Sequence, residues 1–346
     1  MIRMGILGAA DIAKRRFLPA LKNAKGYDFA GVASATNEER MAPLKALDAE
    51  SEYKEGSYDA RMEKVRALSE EFSGRTYESY EELLNDKDVD AVYIPLPPAL
   101  HYYWGKKALL AGKHVYMEKP FTIADELTRE LVTLAEDRGL ALFENYGFTY
   151  NDQIKKIESL MTDKVKFGEL RLIRGYFGFP KRADSDFRYN KKLGGGALLD
   201  CGGYCLKLAR HFLGDDMKIL AATASGMPGH DVDGWGSVMA VSKEGVTCQL
   251  SFGMDNQYKC EAEFWGSIGT IHSPRIFTPP PSFIPKLSLT TRDGIEYIEA
   301  GAEDAFLHGQ EKFAECVESQ DKRDLEYWEI LNQSKFFDTA EKMMGI

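Results

Sequence analysis

Along the first 145 residues, short apolar runs take turns with stretches of helical periodicity, and few folds accommodate that alternation. The apolar runs are Ile2–Leu7, Tyr27–Ala33, Asp90–Pro98, His114–Glu118 and Leu140–Asn145. Between them, Ile12, Phe17, Leu18 and Leu21 fall at helical spacing, with Arg15 and Arg16 on the wet side. Further helices are expected to end at Phe72 and to span Tyr102–Ala111, with His101 at its head, and Ala124–Arg138. Strands that are apolar throughout are buried on both faces, and strands separated by helices pair in parallel. The pattern therefore predicts an α/β, doubly wound parallel sheet. Pro95 and Pro97 cannot donate to a ladder, so that strand must stop in a fixed turn at the sheet's carboxyl edge. Such edges are where open α/β sheets receive ligands.

Beyond Asn145 the pattern changes. A helix over Asn151–Met161 leads to an alternating strand, Gly168–Tyr176, and then to a glycine-rich turn, Gly194–Gly196, opening a helix that runs to Phe212. Strand-like runs follow without long helices between them: Ile219–Ala224, Ser237–Val241, Val246–Phe252, Cys260–Trp265 and Leu287–Thr291. They predict an open, mainly antiparallel sheet in an α+β domain. Thr278–Pro285 reads as a rigid proline-rich loop, and helices near Asp304–Ser319 and Glu326–Met344 close the chain. With 346 residues, two domains are expected: 1–122, and 123–346 with its final helix packing back on the first. The charged stretch Glu38–Arg66 reads as a solvated helical excursion; a lid over an adenosine end, or an oligomer contact, is the sharper alternative.

A net charge of −10 lacks the basic footprint that nucleic acid or an anionic membrane surface requires. No stretch approaches the roughly 20 apolar residues of a membrane helix. Met1 enters a strand directly, so no secretory leader is expected. The five cysteines are odd in number and lack paired spacing, which fits reduced thiols and a cytoplasmic protein. Cys201 and Cys205 read as packing residues on a buried helix, and no metal site is expected.

The first apolar run flows into Gly8-Ala9-Ala10-Asp11-Ile12-Ala13, a strand–turn–helix context with a degraded dinucleotide fingerprint: Gly8 stands, while Ala10 and Ala13 replace the other glycines. Asp11 is also a candidate helix cap. The second strand ends in Ser34, Ala35, Thr36 and Asn37 with Arg40 close behind, and no carboxylate waits there for ribose hydroxyls. That favours NADP(H), with NAD as the alternative. The run Val115-Tyr116-Met117-Glu118-Lys119-Pro120 ends a buried strand on a carboxylate, an amine and a ring-locked turn. Downstream, Asp200 and Tyr204 lie one turn apart on the helix after the glycine run. A ketone that accepts hydride develops negative charge on oxygen and must receive a proton. Tyr204 can supply it, and Lys119 would stabilise the phenolate and the oxygen. Asp200 would fix Lys119 or a substrate hydroxyl, and Glu118 the nicotinamide ribose. Arg182 and Arg188 could meet a substrate phosphate or the cofactor's carboxamide region, or be solvated.

Four pieces, taken in order, resemble the glucose–fructose oxidoreductase/inositol dehydrogenase family. They are Gly5-Ile6-Leu7-Gly8-Ala9-Ala10-Asp11-Ile12-Ala13, Pro95-Leu96-Pro97-Pro98-Ala99-Leu100-His101, Glu118-Lys119-Pro120 and Gly194-Gly195-Gly196-Ala197-Leu198-Leu199-Asp200-Cys201-Gly202-Gly203-Tyr204. Three further stretches, Arg15–Leu21, Asp186–Tyr189 and Phe277–Pro281, are similar to sugar-nucleotide 3-ketoreductases. The resemblance implies a Rossmann domain followed by an open sheet that forms the substrate wall and often the dimer face. It places Lys119 beside the nicotinamide, often with a cis bond to Pro120, and carries roles to Asp200 and Tyr204. Many members have His at the latter position. It implies cofactor contacts at Gly8, Ala10, Asp11, Ile12, Ser34, Thr36, Asn37, Arg40, Pro95, Leu96, Pro97, His101, Glu118, Pro120, Asn145 and Arg188. The expected activity is hydride transfer between nicotinamide and a sugar or sugar-nucleotide, in a homo-oligomer (dimer or tetramer). A dihydrodiol-type dehydrogenase and a non-catalytic dinucleotide sensor are the alternatives.

Overall fold

The computed structural model describes residues 1–50 and 56–346, so part of the charged excursion, 51–55, lies outside the described residues. The chain divides into two compact units. The first comprises Met1–Asn145, Lys192–Gly194 and Gly309–Ser334; the second Tyr146–Lys191, Gly195–His308 and Lys335–Ile346.

In the first unit, β1 (Ile2–Leu7) leads through a π-type turn into α1 (Leu18–Leu21), and β2 (Tyr27–Ala33) into α2 (Asn37–Ala46) and α3 (Tyr58–Phe72). Then come β3 (Arg75–Tyr77), α4 (Tyr80–Asn85), β4 (Ala91–Ile94), α5 (Pro98–Leu110), β5 (His114–Met117), α6 (Asp125–Arg138) and β6 (Leu142–Glu144). The strands form one parallel sheet in the order β3-β2-β1-β4-β5-β6, the doubly wound order of dinucleotide-binding folds. Within the charged excursion, residues 38–46 and 58–66 are helical, in α2 and α3, and Thr36 caps α2 in a reciprocal pair with Glu39. One boundary needs correction. α5 starts at Pro98, not near Tyr102, because Pro97 is extended and Pro98 occupies the first helical position, where its missing N–H costs nothing. That puts His101 inside the first turn.

The sheet's core is aromatic. Phe17 stacks on Tyr93 with ring centroids 3.7 Å apart, and Tyr116 meets both edge-on. The late segment Gly309–Ser334 is tied into this unit: Gln310 donates to the Phe17 carbonyl (2.9 Å), and the Tyr327 hydroxyl to that of Leu140 (2.5 Å).

The second unit begins with α7 (Asp152–Thr162) and β7 (Leu170–Gly178), then a π-type segment, Leu198–Gly202, continuous with α8 (Gly203–Leu213). Strands β8 (Lys218–Gly226), β9 (Asp233–Val241), β10 (Thr247–Gly253), β11 (Lys259–Gly266), β12 (Thr270–Pro274), β13 (Lys286–Thr291) and β14 (Gly294–Glu299) follow. The last helices, α9 (Ala305–Glu318) and α10 (Gln320–Met344), are divided between the units, Gly309–Ser334 belonging to the first. The sheet order is β14-β13-β12-β11-β7-β10-β9-β8. Every pairing is antiparallel except β7 with β10. β7 thus lies between β10 and β11, which are consecutive in the chain, and Gly178 is the register partner of both Gly253 and Lys259. One face of the sheet is buried with α8, through Ile173, Leu208, Leu250, Ala262 and Phe264 among others.

Candidate active site

In the first unit, the turns after β1, β2, β4 and β5 converge on the carboxyl edge of the sheet, as parallel pairing requires. Gly8 adopts φ +97°, where a side chain is strained, and a Cβ there would lie 2.9 Å from the Tyr80 hydroxyl and 3.1 Å from Leu96 Cδ2. The glycine is therefore required twice over, by conformation and by space, and it leaves backbone open to a dinucleotide. The Ala10 carbonyl accepts from Ala13 and Lys14 N–H and so starts the helix. Asp11 is exposed and pairs with Arg15 (2.5 Å); the side chain of Ile12, which immediately precedes the π turn, makes no cap bond. Ser34 is buried at the end of β2, Thr36 half-buried and Asn37 exposed. Arg40, half-buried on α2, lays Nη2 3.7 Å from Met41 Sδ.

Pro95, Leu96 and Pro97 are buried in the β4 turn. His101 is fully buried, with Nε2 2.7 Å from the Leu96 carbonyl and Nδ1 2.9 Å from that of Pro120. Burial pushes its pKa down to about 4 against those two carbonyls. A neutral imidazole carries one N–H, so His101 donates to one of these carbonyls while its ring packs against the other, between the β4 and β5 turns. The Lys119–Pro120 bond is cis. Glu118, just before it, is half-buried, and its Oε1 accepts from the Tyr93 hydroxyl (2.6 Å) and the Asn145 amide (2.7 Å). Asn145 in turn accepts from the Tyr116 hydroxyl (2.9 Å). The aromatic core thereby fixes the carboxylate beside half-buried Lys119. Tyr93 escaped the sequence reading, since a tyrosine in an apolar strand gives no sign of a polar partner.

In the second unit, Arg188 and Asp200 form a half-buried pair: Arg188 Nε lies 2.8 Å from Asp200 Oδ2, and Nη1 3.2 Å from Asp186 Oδ1. Burial works against the guanidinium's charge, but the two carboxylates outweigh it and raise its pKa. Arg188 thus orients Asp200, whereas Arg182 is exposed over the Phe179 ring. Tyr204, one turn after Asp200, is half-buried in an aromatic cage. Tyr146 and Phe177 meet its ring edge-on at 5.1 Å, and Phe148 and Phe277 stand at 5.8 Å. Such a cage sets the ring's direction. Asp233, unremarked in the sequence because it lies more than thirty positions on, is the device that starts this helical run. Its Oδ2 accepts from the Leu198 N–H (2.7 Å).

What these halves present is a backbone cradle with donors at a sheet edge, and a caged phenol beside a fixed carboxylate. The residues of the first unit fit a dinucleotide at Gly8, whose positive φ and lack of a side chain allow the tight turn after β1.

Two family models match the chain. One, described as an oxidoreductase family with an NAD-binding Rossmann fold, covers residues 40–146; the other, a GFO/IDH/MocA C-terminal domain, covers residues 159–272. The chain is 36% identical over 316 residues to a dTDP-3,4-didehydro-2,6-dideoxy-alpha-D-glucose 3-reductase from Actinomadura kijaniata, covering 91% of this chain and 87% of that one. A reductase of the same name from Streptomyces violaceoruber is 36% identical over 317 residues, covering 91% and 85%. Among solved structures, a 3-ketoreductase from Actinomadura kijaniata in complex with NADP and TDP-benzene superposes with a TM-score of 0.88 at 34% identity, over 99% of this chain and 98% of that one.

Proposed function

The chain belongs to the GFO/IDH/MocA oxidoreductase family, and from that premise we propose that it reduces a keto group on a nucleotide-linked sugar with NADPH. The observation that carries this reading is the full-length likeness to the 3-ketoreductase solved with NADP and TDP-benzene. NADPH, when bound, supplies the hydride. Gly8, Ser34, Thr36, Asn37, the 95–97 turn and Glu118 would hold it, and His101 keeps two of those turns in place. Tyr204 then donates its proton to the carbonyl oxygen as negative charge builds there. Lys119 stabilises both that oxygen and the phenolate left behind, and Asp200, held by Arg188, orients a substrate hydroxyl. Lys119 lies in the first unit and Tyr204 in the second; that both serve one carbonyl is the proposal. The Actinomadura ketoreductase has also been solved with a lysine replaced by alanine and with a tyrosine replaced by phenylalanine, the two residue types invoked here.

Domain limits follow the same reading: a cofactor domain built on the parallel sheet, and a substrate domain built on the eight-stranded one. The latter's second face exposes Trp235 (39%), Met239 (41%) and Trp265 (50%), all on one side by strand register, which supports a homo-oligomer formed through it. Five free, buried cysteines support a cytoplasmic setting, and no helix among the described residues is long and apolar enough to cross a membrane.

The decisive assay follows NADPH absorbance against a panel of nucleotide-linked ketosugars, free ketosugars and, with oxidised cofactor, aromatic diols. Turnover of a nucleotide-linked ketosugar is expected. Lys119→Met and Tyr204→Phe should each lower kcat by about a hundredfold or more while NADPH still binds. Undiminished turnover in both variants would remove the proposed roles.

A further inference from the structure

The first unit buries a guanidinium that no carboxylate answers among the described residues. Arg61 of α3 is 8% exposed. Its Nη1 donates to the Gly56 carbonyl (2.8 Å), and Nη2 to the Ala35 carbonyl (3.1 Å) and to Asn37 Oδ1 (3.1 Å). Nε is buried without an acceptor. Three of the five N–H groups are thus used, all on uncharged oxygens. The guanidinium also lies over the Tyr58 ring, 5.8 Å from its centroid, and a buried cation answered by a ring and uncharged oxygens favours an anion nearby.

The neighbouring side chains are arranged as donors. Because Asn37 gives its oxygen to Arg61, its exposed carboxamide keeps the NH₂ for a ligand. Thr36 Oγ1 accepts from the Glu39 N–H (3.1 Å), which leaves its hydroxyl hydrogen to donate. Glu39 is occupied elsewhere: its carboxylate takes the N–H groups of Thr36 (2.7 Å), Tyr80 (3.2 Å) and Glu81 (2.8 Å).

We propose that Arg61 is the buried cation that selects a 2′-phosphorylated ribose at the end of β2, aiming the Asn37 amide at the phosphate and adding its own charge behind it. This rests on the reading of the β2 turn as the adenosine-ribose site. It adds to Arg40, which the sequence offered for the task, a residue some twenty positions further on that composition does not single out. A bare brace for the 35–37 loop is the competing role, and it predicts equal damage to both cofactors.

Dissociation constants measured by fluorescence titration separate the two, using NADPH, NADH, 2′,5′-ADP and 5′-ADP on wild type, Arg61→Leu and Asn37→Asp. Arg61→Leu is expected to weaken NADPH and 2′,5′-ADP by about tenfold or more, leaving NADH and 5′-ADP within about twofold. Asn37→Asp places a carboxylate at an exposed first-turn position where it suits the helix, so the fold holds, and it should invert the preference toward NADH. Equal losses on all four ligands in Arg61→Leu, or an NADPH preference surviving Asn37→Asp, overturns the proposal. Should Arg61→Leu not fold, Asn37→Asp alone decides. A wild-type protein indifferent to the 2′-phosphate overturns the cofactor reading itself, and Arg61's role with it; intact selectivity in an enzyme inactive on ketosugars leaves Arg61's role standing while the substrate reading falls.

Discussion

Replacing Asp233 with alanine tests how the helical run carrying Asp200 and Tyr204 is held. The carboxylate is 8% exposed, its Oδ2 sits 2.7 Å from the Leu198 N–H, and a Cβ on Gly196 would come within 2.2 Å of its Oδ1. Burial raises its pKa above the ordinary carboxylate range, against the backbone N–H groups of Leu198 and Ala197, which lower it. Asp233→Ala therefore orphans donors that each cost about 1–3 kcal/mol when buried unpaired. It also relieves the desolvated charge, so the net loss is about 1–3 kcal/mol. At roughly 2–4 °C per kcal/mol for a unit of this size, thermal unfolding should come about 2–12 °C earlier. Asp233→Asn keeps an acceptor oxygen and sheds the charge, and should lose less. The local assay is amide hydrogen exchange, which should accelerate at Ala197 and Leu198 in the alanine variant before it does elsewhere in the sheet. If both amides stay as protected as in wild type, Asp233 does not hold the turn and the reasoning fails.

Two other outcomes are expected. His101 and His114 are both pushed down to about 4 by burial, and His114 must be neutral to accept the Ala141 N–H (2.8 Å). Unfolded, both titrate near 6.5, so between about pH 6.5 and 4 the unfolded chain binds more protons. Their contribution is complete above pH 6.5 and is lost as pH falls toward 4, whereas Glu341, raised to about 7, opposes it over much of that window. Urea midpoints should fall from pH 7 to 5, and more steeply in Glu341→Gln; a flat profile in that variant contradicts the two histidines. Separately, Gly8→Ala puts a methyl 2.9 Å from the Tyr80 hydroxyl at φ +97°, so it should cost about 1–3 kcal/mol of stability and weaken NADPH binding in a fluorescence titration. Unchanged affinity would show that the β1 turn does not meet the cofactor.

The parallel sheet was legible because its inner strands are buried on both faces, which leaves unbroken apolar runs such as Val115–Met117. β3 was missed because two of its three residues are exposed, and β14 because nearly all of its residues are, so neither alternates. β12 has a single buried apolar side chain, Ile271, between polar neighbours. The start of α5 was misplaced because prolines read as breakers, although one of them is a first-turn residue. Lys119, Asp200 and Tyr204 stood out as chemistry at element ends. Their supports did not: Tyr93 and Asp233 act across the fold through one atom each, and no spacing rule links Tyr93 to Glu118 or Asp233 to Leu198.

The placement of β7 between β10 and β11 bears on which insertions and deletions the second unit tolerates. A hairpin loop can lengthen freely, because it joins strands that lie side by side and need cross nothing to pair. The five residues between Gly253 and Lys259 must instead step across an intervening strand, about 10 Å at ordinary spacing. Both ends are indexed to the same residue, Gly178, and the connection is pinned midway where the Asn256 N–H meets the Phe179 carbonyl at 3.0 Å. Removing one residue would pull one neighbour out of step with β7 and turn its inward side chains outward. Natural length variation should therefore collect at the β8–β9 and β13–β14 turns, while this crossing keeps its count.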